Sequence, residues 1–599
     1  MKTLVDLLER SAVEHADRQA LVMRAGVRTI RYSYSDLEQR AHAYARLFRE
    51  QQVGAGDRVV IWGQNQPDWV VAMFGVFVAG AIVVPLDVRS SRTFVEGVIE
   101  QTSPKLALAG KEQAVILREL GVPVLEFGSF NPTVDALVTP ATIDSTTLAE
   151  IIFTSGTTGD PKGVMLSHGN ILANVIAGLS VIDINRSTRM LSLLPLSHMF
   201  EQIGGCFAAV AAGAAVAYPS SRQPAALSRT MQEWKPTFIM GVPQVLTLLM
   251  NGIEREADAH GKLKLLNGMR TLASPFPERV RRLIFRPILS RFGGKLDLIA
   301  SGGAAIAPEV QLKWEAMGVA VVEGYGTTEC APIVTINPRA DRRVSSVGRP
   351  LPGQEIRVSA DGEVQTRGLN VFGGYWNNQA ATAAAFDGDW YRTGDLGYIE
   401  DGYLYLKGRK KDLIVLADGQ NVYPEDVEDV LRRQAGVTDA VVFGLRNGAD
   451  VKVHAVVLES EPGSASAAVR SANGTLDDRQ QIRSFSTWPE EDFPRTHTLK
   501  VRRPLVEAYL RDEASTAAPL SVPASDADVL LRLVAVAARR DGPFLETHEL
   551  GADVGLDSLG RVELLSAIED ELGVYVDDTE VGARTTVALS RTKDGGPNG

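Results

Sequence analysis

At 599 residues the chain is too long for one ordinary hydrophobic core, so several domains with ample buried surface are expected. Hydrophobic residues make up 45% and charged residues 23%, which excludes a disordered or fibrous chain, and a formal net charge of -11 argues against nucleic-acid binding as its main business. The only cysteines, Cys206 and Cys330, cannot build a disulfide framework, and no Cys or His spacing suggests zinc, so a reducing, cytoplasmic setting is expected.

The opening MKTLVDLLERSAVEHADRQA alternates charge with apolar residues and lacks the apolar core and cleavage site of a secretory signal; it predicts an amphipathic helix. The run from Trp69 to Leu86 is long enough to raise the question of a membrane span. Gly75, Gly80 and Pro85 interrupt it and its end is β-branched, which predicts a buried helix followed by a strand. No transmembrane segment is expected, and peripheral contact with a membrane surface stays open. Helical patterns then alternate with short runs such as DRVVIW, AIVVPL, EIIFTS, AAVAYP, TFIMGV and LDLIAS, the signature of an α/β fold with mainly parallel sheets. From Gly348 the texture changes to turn-punctuated short strands, a small β-rich subdomain. Residues 1–408 are read as a large domain and 409–512 as a small α+β domain opened by KKDLIVLADGQNVYPEDVEDVLRR. Residues 513–525 are small and proline-containing and read as a linker; 526–599 form a last domain.

The most chemically loaded segment is IIFTSGTTGDPKG, Ile151 to Gly163, where a strand runs into Thr154, Ser155, Gly156, Thr157, Thr158, Gly159 and Lys162. Glycines let backbone N–H groups approach an anion, hydroxyls add donors or a magnesium ligand, and Lys162 adds positive charge, so the loop suits phosphates. It is not a Walker loop, because Pro161 stands where the second glycine belongs and Lys162 is followed by Gly163.

TSGTTGDPKG closely resembles the signature of the AMP-binding, acyl-adenylate-forming synthetases, which include acyl-CoA synthetases and nonribosomal adenylation domains. Further matches follow in the family's order: LPLSHMFEQIG around His198, ASGGAAIAPE at Ala300 to Glu309, GYGTTE at Gly324 to Glu329, YRTGDLG around Asp395, GRKKDLI at Gly408 to Ile414, and FPRTHTLKVRR around Lys500. The resemblance implies ATP and Mg2+ and assigns roles residue by residue. Lys500 bridges the acid's carboxylate and the phosphate; Thr328 donates to the α-phosphate; Glu329, with Thr154, is a magnesium ligand. Tyr325 offers a face to adenine, beside Gly324 and the small residues Gly302, Gly303 and Ala304. Asp395 accepts the ribose hydroxyls, His198 belongs to the substrate pocket, and Arg409 and Lys411 lie at the hinge between the large and small domains. Taken without the family, GYGTTE reads as a turn and a helix cap by Thr328, and Lys500 as an ordinary solvated lysine.

The section from Asp526 to Asp594 has fifteen Asp and Glu against seven Lys and Arg. Within it VGLDSLGRVELLSAIEDELGV sets Leu559, Val562, Leu564, Leu565 and Ile568 at helical spacing. This stretch resembles an acyl carrier domain, an all-α helical bundle, in which Ser558 would carry 4'-phosphopantetheine added by a phosphopantetheinyl transferase. The chain departs from that pattern at its end, where TTVALSRTKDGGPNG turns polar and glycine-rich.

SVGRPLPGQEIRV, GRKKDLIVLADGQNVYPEDVE and WPEEDFPRT resemble bacterial long-chain fatty acyl-CoA synthetases, and the stretches around His198 and Met240 are predominantly apolar, so a medium- or long-chain fatty acid is expected. Each buried methylene would contribute about 0.8 kcal/mol. Glu201 leaves an amino-acid substrate as a second option. The acceptor is the chain's own carrier, at a local concentration of roughly millimolar through a short linker, or coenzyme A. The alternatives are a conventional acyl-CoA ligase with a regulatory or vestigial carrier tail and, from another class, a non-catalytic fatty-acid or nucleotide sensor, against which the joint presence of Glu329, Asp395 and Lys500 speaks.

Overall fold

The structure, a computed structural model, describes residues 1–25, 28–130, 137–155, 161–221, 224–416, 420–447, 450–495 and 500–516, together with Val534, Ala538, His548, Leu550, Val554, Leu556 and Leu564. It divides into two compact units. The first is Met1–Thr393 with Gly397–Leu406; the second holds Gly394–Leu396 and the described residues from Lys407 onward.

Two large sheets dominate the first unit. One runs, in spatial order, through Val124–Glu126, Leu106–Ala109, Arg58–Trp62, Ile82–Leu86, Leu148–Ser155 and Pro161–Ser167. Its pairings are parallel except for the last, which makes a β-hairpin at the sheet edge. The other has nine strands and a parallel centre formed by Gln19–Ala25, Ala215–Tyr218, Arg189–Leu191, Phe238–Gly241, Leu298–Gly302 and Ala320–Gly326. The six strand runs picked out in the sequence all fall on these strands. Parallel sheets are covered on both faces, and this is why the runs are continuously apolar rather than alternating.

The apolar stretch from Trp69 to Leu86 behaves as expected. Helix Pro67–Val78 starts with proline at its first turn and buries every residue except Asp68, and strand Ile82–Leu86 is wholly buried. Among the described residues no helix is long and apolar enough to cross a membrane. The turn-rich section after Gly348 forms a five-stranded sheet of short strands, with Gln354–Val358 and Glu363–Gly368 paired antiparallel.

In the second unit a three-stranded sheet, Val437–Asn447, Asp450–Glu459 and Ser484–Thr487, packs its own core with helices Pro424–Arg432 and Ala465–Asn473. Helix Arg503–Thr516 carries on past Glu513, where the linker was expected to begin. Glu and Ala are strong helix formers and extend it. Of the expected carrier, Val534, Ala538, Leu550, Val554, Leu556 and Leu564 are described, and all are buried. Ser558 and most of the expected helical bundle lie outside the described residues.

Candidate functional site

The hairpin that bears the glycine-rich motif is held in register from Leu148↔Ser167 to Ser155↔Pro161, which sets Thr154 opposite Lys162. Both stem residues are therefore fixed at the mouth of the loop. Gly156, Thr157, Thr158 and Gly159 lie outside the described residues. The Lys162 ammonium stands 5.7 Å from the centre of the Tyr375 ring, a cation–π contact.

Tyr375 links this hairpin to the GYGTTE segment. Its hydroxyl donates to Glu329 Oε1 at 2.9 Å, and the Phe372 N–H donates to the Glu329 carbonyl at 2.8 Å. The segment that carries Tyr375 is stitched to the hairpin by Met165 N–H to the Gly374 carbonyl, 3.1 Å, and Trp376 N–H to the Gly163 carbonyl, 2.7 Å. Burial, then the Glu329 carboxylate, push the Tyr375 hydroxyl far above its ordinary range, so it stays a donor at any physiological pH. Thr328 begins a short 3-10 turn, Thr328–Cys330; Thr327 occupies the capping position, without a side-chain capping bond, so Thr328 is not the cap.

The adenine motifs lie side by side. Strands Leu298–Gly302 and Ala320–Gly326 pair in parallel with Gly302 opposite Gly324, and Tyr325 is largely buried at the end of the second strand. A Cβ on Gly302 would come within 2.9 Å of the Phe200 ring, so glycine is what allows the ring to lie on the strand. Gly303 has φ +86°, a left-handed conformation that favours glycine and turns the chain toward Ala304. Behind them Glu323, 3% exposed, accepts the Ile306 N–H at 3.2 Å and so fastens the ASGGAAIAPE loop to the strand that carries GYGTTE. Burial raises the Glu323 carboxyl to about 7 against the opposing pull of that N–H.

His198 precedes the short helix Met199–Gln202 and places Nε2 3.5 Å from Asp87 Oδ2. Asp87 is almost fully buried; its Oδ1 accepts the Arg89 N–H at 2.8 Å, which orients the carboxylate. Glu201 is fully buried, and its Oε2 accepts the Leu194 N–H at 3.3 Å, which ties it to its own loop.

In the second unit, Asp395, Arg409 and Lys500 come together. Asp395 is 5% exposed and its Oδ1 meets Arg409 Nε at 2.7 Å. Burial first, then the Arg409 cation, hold the Lys500 ammonium below the usual lysine range, while Asp395 and Glu425 act in the opposite sense. Glu425 opens helix Pro424–Arg432 and is itself raised by burial and by Glu428. Lys411 is exposed on the 3-10 turn Lys410–Asp412.

Among the described residues no group of three or more His, Cys, Asp or Glu could hold a metal ion by itself. The AMP-binding enzyme family matches residues 8–376, well over half of the chain. The chain belongs to that family. The phosphopantetheine attachment site matches residues 528–592, so this AMP-binding enzyme carries a carrier-type segment near its C-terminus. It is similar to a long-chain-fatty-acid–CoA ligase, FadD15, of Mycobacterium bovis, at 30% identity over 522 residues, 76% of this chain and 86% of the relative. A chloroplastic long-chain-fatty-acid–acyl-carrier-protein ligase of Arabidopsis thaliana is 25% identical over 636 residues, 86% of each chain. Among solved structures, ATP-bound MatB from Rhodopseudomonas palustris superposes with a TM-score of 0.71 at 25% identity, over 86% of this chain and 100% of its own.

Asp87, Glu323 and Tyr375 were not singled out from the sequence, and Glu425 was read only as the start of a helix. Each acts through a partner remote in the chain or sits outside a motif. The only sequence signal was that Asp87 and Tyr375 are polar residues in otherwise apolar or glycine-rich runs, VPLDV and VFGGYW.

Proposed function

We propose that this enzyme activates a medium- or long-chain fatty acid with ATP and passes the acyl group to a thiol, that of its own carrier segment or of coenzyme A. The observation that carries this reading is the presence of an AMP-binding match and a phosphopantetheine attachment match on one chain, with fatty-acid ligases for both kinds of acceptor among its relatives.

The chemistry follows from charge. A carboxylate oxygen attacks the α-phosphorus of ATP, the bond to the β-phosphate oxygen breaks, and pyrophosphate leaves; a thiolate then attacks the acyl carbon and AMP leaves. The first step brings two anions together, so preorganised cations and donors dominate the barrier. Lys500 is assigned to the bridge between carboxylate and α-phosphate, Thr328 to donation toward that phosphate, and Thr154, Ser155 and Lys162 with the four loop residues after Ser155 to the remaining phosphates. Asp395 is assigned to the ribose, with Arg409 orienting it. Tyr325, Gly324, Gly302, Gly303 and Ala304 are assigned to adenine and His198 to the acid pocket.

Glu329 fits a magnesium ion: Tyr375 occupies Oε1, and Oε2 has no hydrogen-bond partner among the described residues. Glu329 and Thr154 would hold the ion, which supplies charge neutralisation to the phosphates when bound; a few protein oxygens plus substrate phosphates are typical for this cation. Ser558 is assigned to phosphopantetheine by its Asp-Ser-Leu sequence alone.

The deciding experiment is exchange of labelled pyrophosphate into ATP with a panel of carboxylic acids. Exchange that rises with chain length supports the reading; no exchange with any acid removes it. Intact mass after treatment with a phosphopantetheinyl transferase, ATP, magnesium and fatty acid then separates the acceptors. An acyl-pantetheine mass lost in Ser558→Ala supports self-loading, whereas acyl-CoA formation that survives removal of residues after Glu513 favours the ordinary ligase.

A further inference from the structure

Between Lys262 and Lys295 the chain holds nine basic residues and one acidic residue, Glu278, within a protein of net charge -11. Helices Leu263–Ala273 and Glu278–Ile284 carry most of this segment. The first directs Leu266, Arg270 and Ala273 into the core. Leu265 and Leu272, seven positions apart and therefore on one face, are 60% and 76% exposed. The second helix, ERVRRLI, buries none of its residues. Its Val280, Leu283 and Ile284, neighbours on a helical surface, are exposed, Leu283 at 71%, and Phe276 in the intervening turn is 50% exposed.

Some of the basic residues are already engaged: Arg270 with Glu254, Arg282 with Asp297 and Arg291 with Glu256. Lys262, Lys264, Arg279, Arg286 and Lys295 are exposed and have no ion-pair partner among the described residues. Large apolar side chains gathered on an exposed face mark an interaction surface. Interleaved with lysine and arginine they have the composition of a helix that lies in a lipid headgroup layer, with apolar tips in the acyl boundary and cationic heads at the phosphates.

We propose that the face formed by residues 262–295 docks on an anionic phospholipid surface. An acidic protein would answer the charge equally well. The bilayer is favoured because the exposed apolar residues are spread over two helices and their connecting turn among unpaired cations, which a fluid interface accommodates without a matching shape. It is favoured also because a fatty acid partitions into bilayers; this second reason rests on the proposed reaction, the first does not.

The intact protein is sedimented with vesicles rich in phosphatidylglycerol or made of phosphatidylcholine alone. It should pellet with the anionic vesicles at low salt and be released by high salt. Leu272→Gln with Leu283→Gln, and separately Arg279→Glu with Arg286→Glu, should each lower partitioning by about tenfold or more while leaving pyrophosphate exchange with a short, water-soluble acid unchanged. Wild-type protein that stays in the supernatant with both vesicle types, or variants that bind as well as wild type, would overturn the proposal. So would self-association of the intact chain without vesicles that the leucine variant abolishes, since this assigns the face to a second copy. Binding is read without turnover: a chain that pellets with vesicles but never exchanges pyrophosphate removes the reaction and leaves the surface standing.

Discussion

Asp395 in the second unit and Glu150 and Glu323 in the first are buried carboxyl groups in opposite surroundings. In the second, Asp395 is matched by a cation, Arg409 at 2.7 Å, and lies near enough to Lys500 to favour its charged form. In the first, Glu150, fully buried on strand Leu148–Ser155, and Glu323 have no ion-pair partner among the described residues, and burial raises them to about 8 and about 7. The amide of Gln202 acts on Glu150 in the opposite sense without restoring its acidity. Charge survives burial only where a compensating charge or donor set is built around it; elsewhere the group takes up a proton.

This contrast can be broken most sharply at Lys500. Lys500→Ala should lower acyl-adenylate formation by about 100- to 1000-fold, the usual effect of losing one preorganised group that meets developing charge. Pyrophosphate exchange measures it, and an unchanged rate would detach the second-unit cluster from the chemistry.

Glu150 tests the other side. Its folded pKa lies above the ordinary 4.5, so its contribution to stability is complete below that value and is lost as pH rises toward about 8. Glu150→Gln should flatten the decline and be more stable than wild type at pH 8, by on the order of 2 kcal/mol. Denaturant midpoints at pH 5 and pH 8 give the answer; equal slopes for both proteins would mean that Glu150 is charged or solvated.

Tyr375→Phe removes the neutral donor to Glu329 without adding charge. A net hydrogen bond is worth about 1 kcal/mol, so kcat/KM for ATP should fall by roughly fivefold. A loss as large as that of Lys500→Ala would show that the two sites are not held so differently.

The smallest effect is a displacement in pH. Because Lys500 is held below the usual lysine range, exchange activity should fall on the alkaline side earlier than for a solvated lysine. Glu425 favours the cation, so Glu425→Gln should move that limb to still lower pH. A shift to higher pH would reverse the sign assigned to Glu425.

Much of the fold was legible because parallel sheets demand continuous apolar runs, and the hairpin could be read from an apolar strand that meets glycines and hydroxyls. The motifs supplied site residues with their roles, but not their supports. Tyr375 reaches Glu329 from 46 positions away, Asp87 reaches His198 across more than 100, and Arg409 pairs with Asp395 from the next strand. Such partnerships depend on which strands lie side by side, a matter of topology that local periodicity does not encode. The same holds for helix Glu278–Ile284, where ERVRRLI reads as amphipathic whether its apolar side meets the core or the outside.

The ladder between Leu148–Ser155 and Pro161–Ser167 also limits how the gene can change. Side chains alternate along a strand, so one residue added within Leu148–Ser155 ahead of Thr154 would turn Thr154 to the far side of the sheet, and one added between Lys162 and Ser167 would turn Lys162, whereas an added residue between the stems leaves the ladder in step. Length variation among natural or engineered forms should therefore spare both stems.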